Sequence, residues 1–355
     1  MTKERKATSD VQLSEDLSHV DQLPKGGDFF ETNAFFVQGE SEGYDICFGT
    51  AAWHVGGGRN GIWRVDEAVM GQNTLVMVPQ DRRGDFRYSE VICNRQDSRE
   101  WEGALKVEQK PDEVIWHWGN RQFISRPPYW QIKGEMQGVD CDLTLGGLRK
   151  ASRCYGEWSD LAKTKKAGYE VPCWAEGTIT VKGKKYTLEN ALGVHDQMTC
   201  GDSYDHMEVF RDNPYTYIWC LSESVQLFLL DLPGAGWNYG FAYLDDQVIP
   251  FGKGEVHLDV LEKWEDPLTA MCTPIRWHAN MNSALGIVDM NIKATGRGWI
   301  CVHHREGYTP RYALPGHANG RIFLPDGRSI PIEDMVTYVE WGRTGLPLGA
   351  GYPTT

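Results

Sequence analysis

The chain has 355 residues, 41% hydrophobic and 24% charged, an ordinary globular balance with length enough for two domains or one large β-architecture. Its formal charge of −13 comes with no Lys/Arg run of useful length, which argues against a nucleic-acid partner. No apolar run reaches the roughly 18 residues that a spanning helix needs, so no membrane span is expected.

The opening "TKERKATSD" lacks the apolar stretch of a secretory signal. Nine cysteines without CxxC spacing read as small buried hydrophobes in a reducing compartment, and a cytoplasmic protein is the expectation.

Residues 1–27 are polar and end in "LPKGG", which reads as a mobile arm. Strand patterns then follow one another. "EVIWHWGNRQF" sets Val114, Trp116 and Trp118 on one face at period two, and "YWQIKGEMQG" does the same with Trp130, Ile132 and Met136. "VDCDLTLGG" repeats the pattern with Val139, Cys141, Leu143 and Leu145. "GTITVKGKKYTL" contains a Lys182-Gly183-Lys184 turn, and "YTYIWCL", "VQLFLLDL" and "YGFAYLDDQVIPFG" continue the series.

Only "SDLAKTKKAGY" (159–169) reads as a helix, with Ser159 as its cap and Gly168 as its stop. Many short strands with turn signals predict an all-β chain of barrels or sandwiches. A seam near 185–192 divides it into an N-terminal domain, 28–190, and a C-terminal domain, 191–355. Fourteen Trp and fifteen Tyr suit a large interior lined by rings with a polar handle.

Several motifs fail on context. "GESEG" at 39–43 matches G-x-S-x-G, but a nucleophile elbow needs a strand–turn–helix setting that this chain does not offer. "GGGRNG" lacks the GK[ST] ending of a P-loop, and no dinucleotide fingerprint follows any strand. No cofactor is expected.

The chemistry concentrates in "GVHDQMTCGDSYDHMEVF" (193–210). His195, Asp196, His206 and Glu208 are acceptable metal ligands, yet neither HxH nor HExxH spacing occurs, and no metal is expected. Asp202 and Asp205 read as a hydrophilic turn. The acid/base reading places Asp196 in an apolar site, where burial keeps a carboxyl protonated and able to donate. Aromatic walls would then stabilise a developing carbocation through their π faces.

From this point the residues resemble a family. "GTITVKGKKYTLENALGVHDQ" is similar to the stretch joining the two domains of the carotenoid 1,2-hydratase (hydroxyneurosporene synthase)/AttH-like proteins. "YIWCLSESVQLFLLDL", "WEDPLTAMCTPIRWHANM" and "VTYVEWGR" resemble later landmarks of that family in the same order. The likeness covers about 160 residues in this way and the first 190 only loosely.

It implies two lipocalin-like β-domains facing each other around a hydrophobic cavity. Where the family's hydratases commonly read Asp-His-x-Trp, this chain reads His195-Asp196-Gln197-Met198. The family's Tyr-x-Asp proton donor corresponds by resemblance to Tyr243 and Asp245.

The resulting expectation is a cofactor-independent enzyme acting on a C=C bond or tertiary alcohol of an apolar, terpenoid-like small molecule. Asp196 or Asp245 donates the proton and His195 holds or recharges the carboxyl. Trp118, Trp219, Trp277, Glu340 and His206 are the candidates for lining the substrate site. A template cyclase that needs no acid and a non-catalytic lipid or terpenoid carrier stay open as alternatives, and so does a homodimer.

Overall fold

The computed structural model describes residues 5–24, 29–56, 67–100, 105–201, 214–233, 236–244, 247–304 and 307–342. Strand accounts for 70% and helix for 8%, so the all-β expectation holds. In chain order the first sheet contains β1 (Phe29–Ser41), β2 (Tyr44–Gly56), β3 (Glu67–Pro79), β4 (Glu90–Glu100), β5 (Leu105–Gln109) and β6 (Val114–Trp118). It continues with β7 (Arg121–Arg126), β8 (Tyr129–Met136), β9 (Val139–Gly147), β10 (Ser152–Gly156), β11 (Lys166–Val181) and β12 (Lys184–Gly201).

The second sheet contains β13 (Tyr215–Leu221), β14 (Val225–Leu232), β15 (Trp237–Leu244), β16 (Gln247–Phe251) and β17 (Val256–Glu265). Its remaining strands are β18 (Cys272–Ser283), β19 (Gly286–Ala294), β20 (Gly298–His304), β21 (Gly307–Phe323) and β22 (Ser329–Gly342).

Both sheets follow one plan. The first runs β4-β3-β2-β1-β12-β11-β9-β8-β7-β6-β5 with β10 beside β11. The second runs β16-β15-β14-β13-β22-β21-β19-β18-β17 with β20 beside β21. Each opens with a four-strand meander whose first strand later pairs with the last strand of its sheet. The two curled sheets form half-barrels, as two lipocalin-like domains would. The duplication therefore lies in topology, although no tandem repeat stands out in the residues.

Local chemistry sets the hairpins. Lys182 and Gly183 both have positive φ, 50° and 78°, between the paired Val181 and Lys184. That is the primed two-residue turn whose twist matches the flanking strands. Period-two burial does the rest: the apolar faces read from β6, β8 and β9 all enter the first core, with Trp116, Trp130, Ile132 and Leu143 fully buried.

A second core fills the other half-barrel around Trp277, Met290 and Tyr312. A third joins the sheets, with Cys47, Val76, Leu192 and Val194 from one side and Tyr217, Trp219, Phe228 and Tyr338 from the other. Gln38 Nε2 donates to Thr337 O at 2.7 Å across this junction, and Phe36 stacks on Tyr338 at 4.6 Å. A second seam is closed by Gly84 N to Thr295 O at 2.8 Å and by Arg297 N to Ser89 Oγ at 3.0 Å.

Three expectations need correction. The helix over 159–169 is only a 3-10 turn, Trp158–Asp160, and one α turn, Leu161–Thr164. It stops at Lys165, which is left-handed, and β11 starts at the next residue. The domain seam is also displaced: 185–192 lies inside β12, which pairs with β1 and β11 up to Gly201, so the first sheet extends beyond residue 190.

Residues 5–24, read as a mobile arm, are packed against the first half-barrel, with Val11, Glu15, Asp16, His19 and Leu23 buried. Their polar groups find partners there: Thr8 N donates to Gly147 O, and Arg153 meets Glu15 at 3.0 Å. Among the described residues no helix is long and apolar enough to cross a membrane.

Candidate active site between the two sheets

His195 and Asp196 are neighbours on β12 and therefore point to opposite faces of the sheet. His195 turns into the first half-barrel. Its Nδ1 lies 3.1 Å from Ala34 O and its Nε2 3.2 Å from Asp16 Oδ1, while its ring stacks on Phe35 at 4.2 Å. A carbonyl only accepts, so Nδ1 carries the hydrogen of that contact. Asp16 also accepts from Trp130 Nε1 at 3.0 Å and from the Tyr169 hydroxyl. The expected support of Asp196 by His195 is thus ruled out by the strand itself. His195 is tied to the N-terminal segment instead.

Asp196 faces the second sheet. It pairs across the ladder with Glu170 on β11, so the two carboxyls stand side by side on one face. Glu170 is fully buried and accepts from three donors: the Tyr155 hydroxyl, the Tyr217 hydroxyl at 3.0 Å and Trp219 Nε1 at 2.6 Å. Asp196 retains 9% exposure, and its Oδ1 has no partner among the described residues.

A third carboxyl comes from the second sheet. Glu340 on β22 accepts from the Tyr215 hydroxyl and lies 3.2 Å from Arg311. β12 and β22 hold the same place in their respective sheets, so each closing strand presents an acid to the junction.

Electrostatics follow from this placement. Burial, reinforced by the charges of Glu170 and Glu340, holds the Asp196 carboxyl well above the ordinary aspartate range. Burial also lifts Glu170 to about 7, against the pull of its three donors. Burial likewise pushes the Tyr155 and Tyr239 hydroxyls and the Cys154 thiol well up, although all three keep some accessible surface.

Tyr217, Trp219, Phe228 and Phe241 give this region its aromatic wall, with Trp219 5.1 Å from Phe228 and Phe228 4.9 Å from Phe241.

Of the residues nominated from sequence, Asp196, Trp219 and Glu340 come together here. Tyr243 lies in the same junction, edge-on to Phe241 at 5.2 Å. Trp277 does not belong: it is fully buried in the second half-barrel. Trp118 packs in the first core over Gly71, far from this face of the sheet. Asp245 and His206 lie outside the described residues. Among the described residues no three His, Cys, Asp or Glu side chains converge as metal ligands would.

Glu170, Tyr155, Tyr217 and Arg311 were not anticipated. Glu170 left a trace, as the lone charge in the apolar run "GYEVPCW".

No protein-family model matches the chain, and no curated protein matches it in sequence. Solved structures do match in fold. A Nitrosomonas europaea protein solved under the AttH name aligns over 97% of this chain and 98% of its own, at 13% identity and a TM-score of 0.60. CghA, solved with Sch210972, aligns over 90% of this chain and 89% of its own, at 11% identity and a TM-score of 0.57. Kievitone hydratase from Nectria haematococca is a more remote likeness at 8% identity and a TM-score of 0.49, over 96% and 97% of the two chains. Together with the paired half-barrels, the first two alignments show that the chain shares the two-domain all-β fold of the AttH-named protein and CghA.

Proposed function

We propose that this chain is a cofactor-independent enzyme acting at a C=C bond or tertiary alcohol of an apolar, terpenoid-like small molecule, with Asp196 as the proton donor. The observation that carries the reading is the Asp196 carboxyl, nine-tenths buried, with one oxygen unpartnered among the described residues. What sets this carboxyl apart is its place beside Glu170 on the face that meets the aromatic wall, with burial holding it in the protonated form that a proton donor needs.

In the hydration direction the Asp196 O–H gives its proton to one alkene carbon, and the other carbon becomes cationic. The faces of Trp219 and Tyr217 and the nearby Glu170 carboxylate steady that charge. Water then adds to the cation, and its released proton restores Asp196. Dehydration runs the same steps in reverse, and loss of a different proton from the cation gives isomerisation. The likeness in fold to CghA, solved with Sch210972, supports a ligand-binding role for this architecture.

The test is incubation of the full chain in D₂O with prenyl alkenes, tertiary alcohols and linear polyenes, read by mass spectrometry. Deuterium appearing at carbon in a product, and absent with Asp196→Asn, is the expected result. A rearranged product without deuterium, formed equally by the variant, would replace the acid mechanism by a template cyclase. Saturable quenching of Trp fluorescence without turnover would make the chain a carrier.

A further inference from the structure

Asp196 and Glu170 stand side by side across the β11–β12 ladder, and their hydrogen bonding is unequal. Three donors converge on Glu170, from β10 (Tyr155) and from β13 (Tyr217 and Trp219). Asp196 Oδ1 receives none among the described residues. A carboxylate is stabilised by each donor aimed at it, whereas a neutral acid is the form that tolerates an empty oxygen in a dry site.

We propose that Glu170 is a positioning residue that holds the negative charge of the pair and thereby keeps the shared proton on Asp196, the group facing the substrate. The inference rests on the proposed role of Asp196 as acid and assigns what sustains that role.

The surroundings agree from every side. Glu340 on β22 adds negative charge that further disfavours an Asp196 carboxylate. Its counter-ion Arg311, on β21, lies 3.2 Å from Glu340 and is therefore engaged there. The Tyr338 hydroxyl is also directed at Glu340, at 3.5 Å. On β10 and β15, the Cys154 thiol and the Tyr239 hydroxyl are neutral, since burial pushes both up. Among the described residues the site thus contains one cation, engaged by Glu340, and none directed at Asp196.

Such a pair releases its protons in two steps, the lower belonging to Glu170 and the upper to Asp196. Removing the Glu170 charge makes Asp196 easier to ionise. Removing a donor from Glu170 makes Glu170 harder to ionise. The two substitutions therefore move the titration in opposite directions, which a merely structural role would not do.

The experiment is an infrared pH titration of the folded full chain carrying ¹³C-labelled aspartate carboxyls, which separates Asp from Glu. A protonated aspartate band is expected at neutral pH and is lost in Asp196→Asn. In Glu170→Gln the same band should disappear at a pH lower by about one unit or more, a tenfold change in proton affinity. In Trp219→Phe the lower, glutamate step should move up instead.

Persistence of the band in Asp196→Asn, or an aspartate step unmoved by Glu170→Gln, would overturn the assignment. If Glu170→Gln does not fold, the direction of the Trp219→Phe shift and the Asp196→Asn spectrum decide it. Because no turnover is measured, a failure of the proposed reaction in D₂O leaves this result standing, and the reverse also holds.

Discussion

Replacing Asp16 with Ala tests whether the N-terminal segment is part of the first half-barrel. The side chain is fully buried and serves three neighbours at once: Trp130 Nε1 at 3.0 Å, His195 Nε2 at 3.2 Å and the Tyr169 hydroxyl. All three partners are themselves buried, so none can turn to bulk water when the carboxyl goes. Leaving a buried polar group unsatisfied costs about 1–3 kcal/mol. Three such groups, partly rescued by water entering the space of the lost carboxyl, bring the loss to roughly 3–6 kcal/mol.

For a chain of this size that corresponds to a fall in melting temperature of roughly 4–8 °C. Asp16→Asn keeps one acceptor oxygen and should lose about half as much. The assay is urea denaturation followed by Trp fluorescence, since Trp116 and Trp130 both contact Asp16. Because Asp16 lies on the His195 side of β12, the titration of Asp196 should be unchanged in the folded variant. An Asp16→Ala chain as stable as the parent would refute the reasoning and return residues 5–24 to the status of a loose arm.

Two further outcomes are expected. Burial raises Glu31 from 4.5 to about 7 in the folded chain, so the folded state keeps a proton that the unfolded state releases. Its contribution to stability is therefore full below about pH 4.5 and is lost as pH rises toward 7. Glu31→Gln should flatten the fall of the urea midpoint across that window, in part only, because Glu170 contributes with the same sign. A slope identical to the parent would show that Glu31 ionises freely. Gly71→Ala should destabilise the first half-barrel by about 1–3 kcal/mol, as overpacking does. A Cβ there would lie 2.1 Å from Trp118 Nε1, so an unchanged midpoint would mean that the Trp118 ring is free to move away.

Residue pattern alone carries the strands. Alternation in "EVIWHW" and "VDCDLTLGG" and the Lys182-Gly183 turn dictate extended chain and tight hairpins wherever the segment finds a partner, because they act over a few residues. Asp196, Trp219 and Glu340 were legible for a related reason: each is a chemically conspicuous residue in a segment that must be strand. The segment 159–169 misled because its helical pattern is short and β11 already claims the residues from Lys166 onward.

What the tertiary structure decided is which face each side chain takes and what meets it there. Sequence neighbours His195 and Asp196 read as a pair, yet the two-residue period of β12 sends them into different cores. Asp16 reaches His195 across 179 residues of chain, and Trp219 reaches Glu170 across 49. Neither contact leaves any periodic signal. The carboxyl pair exists because β11 and β12 pair in one register, and its asymmetry exists because the second sheet aims Tyr217 and Trp219 at one partner alone. Local pattern fixes the element, while the meeting of two sheets, each with its first strand paired to its last, brings Asp196, Glu170 and Glu340 to one junction.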